Sequence, residues 1–123
     1  SDEVKKRFKH KCCITGIQTG SLLVGSHIVP WSEDKTIRLD PRNGLCLSNL
    51  VDRCFENGLI IIDQDYYIRV SDRVLSDDDL WNYLKQYKDK RITLPSNKKH
   101  RPNKDYLLRH QQSHKKFFIS TQS

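Results

Sequence analysis

Methionine is absent from all 123 residues, position 1 included, which points to a piece of a longer chain. Long apolar runs are missing as well. The longest, Leu59 to Ile62, is strand-sized, far short of the ~18 residues of a membrane span. A secretory signal is not expected, because the charged N-terminus offers no apolar stretch for one. There is no C-x-x-C pair among Cys12, Cys13, Cys46 and Cys54. Structural zinc is therefore not expected, since its ligands usually come in closely spaced pairs. Adjacent cysteines rarely bond to each other either. The four read as reduced, mostly core-filling thiols of an intracellular protein. Repeats and low-complexity segments are also lacking, and the length suits one domain.

What the chain does have is charge, unevenly placed. Residues 1–11 carry five bases against two acids, residues 17–84 six against eleven, and residues 85–116 eleven against two, for a net of +7. An acidic middle between basic flanks suits a metal-binding site set beside a polyanion, because basic surface attracts phosphate. The plainer reading of such a run is a solvated surface.

The pattern predicts a small α+β domain. Val4, Phe8 and Cys12 mark a basic amphipathic helix that stops before Thr15-Gly16. Leu22 to Val29 reads as a strand ended by Pro30, residues 31–42 as a loop, and Leu45 to Leu47 as a second strand. Asn49 to Asn57 reads as a two-turn helix with Leu50, Val51 and Cys54 inward and Gly58 as its stop. Leu59 to Ile62 and Tyr66 to Val70 flank a turn at Asp63-Gln64-Asp65, a β-hairpin. Ser76 and Asp79 form a capping box for a helix bearing Leu80, Leu84 and Tyr87 on one face. A last helix is expected from Pro102, with Tyr106, His110 and Phe117 on one side. Trp31 and Trp81 read as core. Of the i, i+4 pair His110 and His114, one is expected to pack and the other to face solvent or phosphate.

Unusual polar residues concentrate between Leu22 and Gly58. His27 closes the first strand in Ser26-His27-Ile28-Val29-Pro30, and Asn43 opens the second in Asn43-Gly44-Leu45. Asp52 and Glu56 lie four apart on the helix. That spacing puts both carboxylates on one face, a mild repulsion that a divalent cation would relieve.

The set resembles the HNH endonucleases, and within them the branch found in restriction enzymes and bacterial defence nucleases. The resemblance rests on His27-Ile28-Val29-Pro30-Trp31, on Asn43-Gly44-Leu45-Cys46-Leu47-Ser48, and on Asp52-Arg53-Cys54-Phe55-Glu56-Asn57-Gly58-Leu59-Ile60. Cys12-Cys13-Ile14-Thr15-Gly16 is similar to the start of that branch, and Ile92-Thr93-Leu94-Pro95 and Tyr106-Leu107-Leu108-Arg109-His110 to its tail. The resemblance implies a ββα-metal core at 21–60, a basic helical extension at 76–119, and one HNH nuclease domain over 1–123.

It further implies that His27 is the general base, Asn43 the brace of its loop, Asp52 the main metal ligand and Glu56 a second. A neutral imidazole near pH 7 suits the first role. Carboxylate ligands suit one Mg²⁺ or Mn²⁺. The signature departs from the family in reading His-Asn-Asp, in having Ser26 where many members carry a metal-binding Asp, and in having Val51 where close relatives often have His. Arg42 and Arg53 are the leading phosphate contacts, because guanidinium binds phosphate in bidentate fashion. Arg38, Lys35, Lys98, Lys99 and Arg101 follow. The expected activity is metal-dependent hydrolysis of double-stranded DNA in a bacterial or archaeal cytoplasm. A linked recognition or sensor domain is expected, and two copies could pair as a homodimer for a double-strand cut. The competing reading is a non-catalytic DNA-binding module of the same fold.

Overall fold

The computed structural model describes residues 2–30 and 32–117. Helix α1, Asp2–Arg7, has acids in its first turn and bases in its last, as its dipole favours. It ends earlier than the Val4-Phe8-Cys12 spacing predicts. Lys9 and His10 both take left-handed backbone, each with φ of 55°. The chain then turns so that the Cys13 N–H donates to the Cys46 carbonyl at 2.9 Å. All four cysteines are buried free thiols.

Strands β1, Leu23–His27, and β2, Gly44–Ser48, pair antiparallel with His27 opposite Gly44. A Cβ on Gly44 would collide with the Val4 side chain, so the glycine lets α1 close directly onto β2. β2 runs straight into α2, Asn49–Glu56. Its inward residues are Val51, Cys54 and Phe55, while Leu50 is half exposed. The inward face is thus turned from the Leu50–Cys54 line that the sequence suggests. Gly58, at φ +67°, ends the helix with backbone that few other residues adopt.

A second two-stranded sheet follows, β3 Ile60–Ile62 with β4 Ile68–Val70. Its connection is wider than a tight turn. Asp63 Oδ1 accepts from the N–H groups of Asp65 and Tyr67, and Tyr66 has φ of 70°. Helix α3, Asp78–Leu84, is capped by Asp77, whose carboxylate accepts from the Leu80 N–H at 3.1 Å. The cap therefore lies one residue beyond Ser76, because a carboxylate at Asp77 reaches that orphan donor. Tyr87 follows the helix.

Helix α4, Lys104–Ser113, starts two residues after Pro102, with Asn103 as its cap. It packs on β3 through the fully buried Leu107. It also pins the long loop between β1 and β2. Arg109 bonds Asp34 at 3.1 Å, and the Tyr106 hydroxyl donates to Asp40 at 2.9 Å. Phe117 is buried but lies past the helix end, and Trp81 packs at the edge of the core. Trp31 and residues 118–119 of the expected extension lie outside the described residues. Among the described residues, no helix is long and apolar enough to cross a membrane.

Candidate active site

His27 ends β1, and the two residues after its neighbour Ile28 leave the sheet. Asn43 holds that departure. Its Oδ1 accepts from the Val29 N–H at 2.8 Å, and its Nδ2 donates to the Val29 carbonyl at 2.9 Å. The Ile28 N–H adds a bond to the Asn43 carbonyl at 3.0 Å. Both Asn43 and Val29 are buried, so this amide replaces the sheet ladder where it stops. The backbone on either side of His27 is thereby fixed, by the Gly44 pairing before it and the Asn43 clamp after it.

His27 lines a cleft of about 550 Å³ between β1, α2 and α4. The cleft brings His27 together with Asp52 and Glu56, the two carboxylates one turn apart on α2. Partial desolvation by the cleft walls lowers the His27 pKa, which keeps the imidazole neutral at physiological pH. Five further polar residues line the same cleft: Ser26 from β1, Glu33 from the loop, and His110, Ser113 and His114 from α4 and its end.

The two histidines of α4 differ. His110 is buried and stacks flat on Phe55, with ring centroids 3.7 Å apart, and its Nε2 bonds the Phe55 carbonyl at 2.8 Å. A carbonyl only accepts, so Nε2 carries the proton and Nδ1 is a bare acceptor; Nδ1 has no hydrogen-bond partner among the described residues. Burial pushes the His110 pKa down to about 4. His114 is half buried and packs edge-on against His110 at 4.6 Å. Its ring also rests on Gly58, where a Cβ would lie 2.5 Å from the imidazole. The i, i+4 spacing made the pair visible in sequence, but nothing there placed it opposite His27.

The candidate DNA contacts scatter. Arg38 lines a second cleft of about 450 Å³ that shares Ser26 and His27 with the first and adds Asn43 and Asp40. Ser26 is buried, and its hydroxyl has no partner among the described residues. Arg53 pairs with Glu56 at 2.8 Å on the exposed face of α2. Arg42 turns toward the extension and donates from Nε to the Arg101 carbonyl at 3.0 Å. Arg101 in turn donates to the Pro95 carbonyl. Lys35 is exposed in the loop, and Lys98 and Lys99 are exposed on a short turn capped by Asn97. Neither these lysines, Arg42, Arg53 nor Arg101 line the cleft that holds His27.

Among the described residues, no three His, Cys, Asp or Glu groups form a cage for a metal ion. The donor set does fit an open site for a hard cation. Mg²⁺ is commonly held by one or two carboxylates, with water and substrate phosphate completing its shell. Asp52 and Glu56 would supply that pair, Glu56 only if it released Arg53. Val51 is fully buried and cannot contribute.

A family model described as HNH endonuclease matches residues 12–63. That segment is similar to the HNH endonucleases. It holds β1, β2 and α2, hence His27, Asn43, Asp52 and Glu56, but neither histidine of α4. Among solved structures, a modification-dependent TagI restriction endonuclease matches with a TM-score of 0.61 and 18% identity over 98% of this chain. At that identity the likeness shows the fold, and it extends beyond the HNH segment to α4. The chain spans 39% of that neighbour's length. No curated protein matches it.

Proposed function

We propose that the chain is the cleavage domain of a metal-dependent DNA endonuclease of the restriction or defence type. One observation carries this reading: a neutral histidine on a clamped strand end shares a cleft with two carboxylates of the following helix. His27 takes a proton from water as the water oxygen attacks phosphorus, and the P–O bond to the leaving sugar oxygen breaks as that oxygen takes a proton from solvent. Asn43 fixes the backbone that carries His27. Asp52, with Glu56, would hold Mg²⁺ or Mn²⁺, whose charge stabilises the phosphate as negative charge builds on it. The HNH match and the restriction-enzyme fold support double-stranded DNA as substrate. The neighbour's greater length supports a linked recognition or sensor domain. Action as a pair of copies, and in a bacterial or archaeal cytoplasm, belongs to the same proposal.

Nicking of supercoiled plasmid tests it. Wild type should cut with Mn²⁺ and not with EDTA. His27→Ala should lose about 10²- to 10⁴-fold in rate, the usual contribution of a general base, with DNA affinity within a few-fold. Binding without nicking by the wild type would favour the non-catalytic module instead.

A further inference from the structure

The cleft does not end at α4. Ser113 and His114 also line an adjoining hollow of about 310 Å³, whose remaining walls are Arg73, Lys115 and Lys116. This hollow has three cations and no carboxylate in its lining. None of the three cations forms an ion pair among the described residues, whereas Arg7, Arg53, Arg69 and Arg109 all do. One buried hydroxyl fixes its two halves together. Ser71 Oγ accepts from the Arg73 N–H at 3.2 Å and donates to the Phe117 carbonyl at 2.6 Å. The Phe117 N–H closes the turn onto the His114 carbonyl at 3.0 Å. The Arg73 and Lys115-Lys116 segments therefore keep a set spacing rather than waving as independent side chains.

We propose that Arg73, Lys115 and Lys116, with His114 at the threshold, form a subsite for the DNA backbone phosphates beside the one cleaved, one phosphate to each cation. The inference rests on the nuclease reading and adds to it. A polyanion cannot enter a cleft lined by Glu33, Asp52 and Glu56 without cationic support close by. The leading arginines of the sequence do not line it: Arg42 donates to the Arg101 carbonyl, and Arg53 is engaged by Glu56 at the cleft edge. The Arg73 hollow shares two wall residues with the cleft, and so carries the strand from positive surface to the reacting groups. Lys115 and Lys116 fall in the basic C-terminal run, while Arg73 comes from the acidic middle, so only folding unites them.

The test is anisotropy of a labelled duplex in EDTA, where no cutting occurs, titrated at several salt concentrations. Arg73→Gln/Lys115→Gln/Lys116→Gln should reduce the log–log salt slope by about 2 to 3, at ~0.9 for each phosphate that is no longer neutralised. The double variant Lys115→Gln/Lys116→Gln, which leaves the Ser71-bonded turn untouched, should reduce it by about 2 on the same scale. A charge-matched control, Lys85→Gln/Lys88→Gln/Lys90→Gln, should change the slope by less than about 1. An unchanged slope in the hollow variants, or an equal reduction in the control, overturns the subsite. Plasmid nicking separates the two readings. A wild type that binds through the hollow but never cuts sinks the nuclease while sparing the subsite. One that cuts with the hollow variants at wild-type slope does the reverse, and no DNA binding at all sinks both.

Discussion

Replacing Asn43 tests the clamp that holds the strand end carrying His27. In Asn43→Ala, the Val29 N–H loses its 2.8 Å bond and the Val29 carbonyl its 2.9 Å bond. Val29 is 1% exposed, so water does not readily replace either. A buried group left unpaired costs about 1–3 kcal/mol, giving about 2–6 kcal/mol for the two. That is a large share of the roughly 5–15 kcal/mol that stabilises a domain. At about 4 °C per kcal/mol for a chain of this size, the melting midpoint should fall by about 8–24 °C. Asn43→Asp adds a signature that a general loss of packing would not give. The carboxylate keeps the acceptor for the Val29 N–H but faces the Val29 carbonyl with no proton to donate. Folding then favours the protonated acid, so this variant should gain stability relative to wild type as pH falls. Thermal unfolding followed by circular dichroism at pH 8 and pH 5 measures both effects. An Asn43→Ala midpoint within about 2 °C of wild type would refute the reasoning, because the amide would then bear no structural load.

Three other outcomes follow from the geometry. In calorimetry with Mn²⁺, Asp52→Ala should lose most binding, and Glu56→Ala less, because Glu56 is already neutralised by Arg53 at 2.8 Å; unchanged binding in Asp52→Ala moves the metal site elsewhere. His110 has a folded pKa of about 4 against an ordinary 6.5. Its contribution to stability is full above about pH 6.5, is lost as pH falls through that interval, and is gone below about 4, a change of roughly 2–4 kcal/mol. Urea titrations at pH 7.5 and 5 should show a smaller pH dependence in His110→Gln than in wild type, and equal dependence would place the titration on other groups. Neutralising Lys98, Lys99 and Arg101 together should flatten the salt slope of DNA binding if those residues grip the duplex, with cleavage at saturating DNA retained because none of them lines the His27 cleft. A wild-type slope in that variant would leave the turn at 98–101 as solvated surface.

The parts of the fold that were legible share one property: their signals are local. A β-rich run ended by Pro30 marked β1, and Gly58 marked the end of α2, because β propensity, proline and left-handed backbone are written in adjacent residues. Failures arose where neighbours in space decide. Leu50 and Phe55 both sit on α2 among apolar residues, and only the packing partners α4 and β3 select Phe55 as the buried one. Lys9 and His10 break α1 without glycine or proline to announce it. Within the site, the residues His27, Asn43, Asp52 and Glu56 were legible as a set because they fall within one short stretch of chain. His110, Ser113 and His114 were not, since they line the cleft with His27 only through the docking of α4.

The charge map shows how tertiary structure reassigns a sequence signal. An acidic middle beside a basic tail invites the reading of a metal site facing DNA, yet much of that charge is matched within the molecule. Asp34 binds Arg109 of the extension, Asp63 and Asp89 share Arg69, and Glu56 holds Arg53. Asp40 is bonded by Tyr106 of α4. Such pairs at the surface add little stability singly, because water and salt screen them. Two of them, however, tie the β1–β2 loop to α4, and so position Glu33 and the cleft wall. The acids lining the cleft are then Glu33, Asp52 and the Arg53-paired Glu56, and the cations beside it without an ion pair among the described residues are Arg73, Lys115 and Lys116. The net +7 of the chain is thus a poor guide to where a phosphate would bind. A better one is where folding gathers unpaired cations beside a cleft: Arg73, Lys115 and Lys116 line one end of a groove whose other end holds Asp52, with His114 between them.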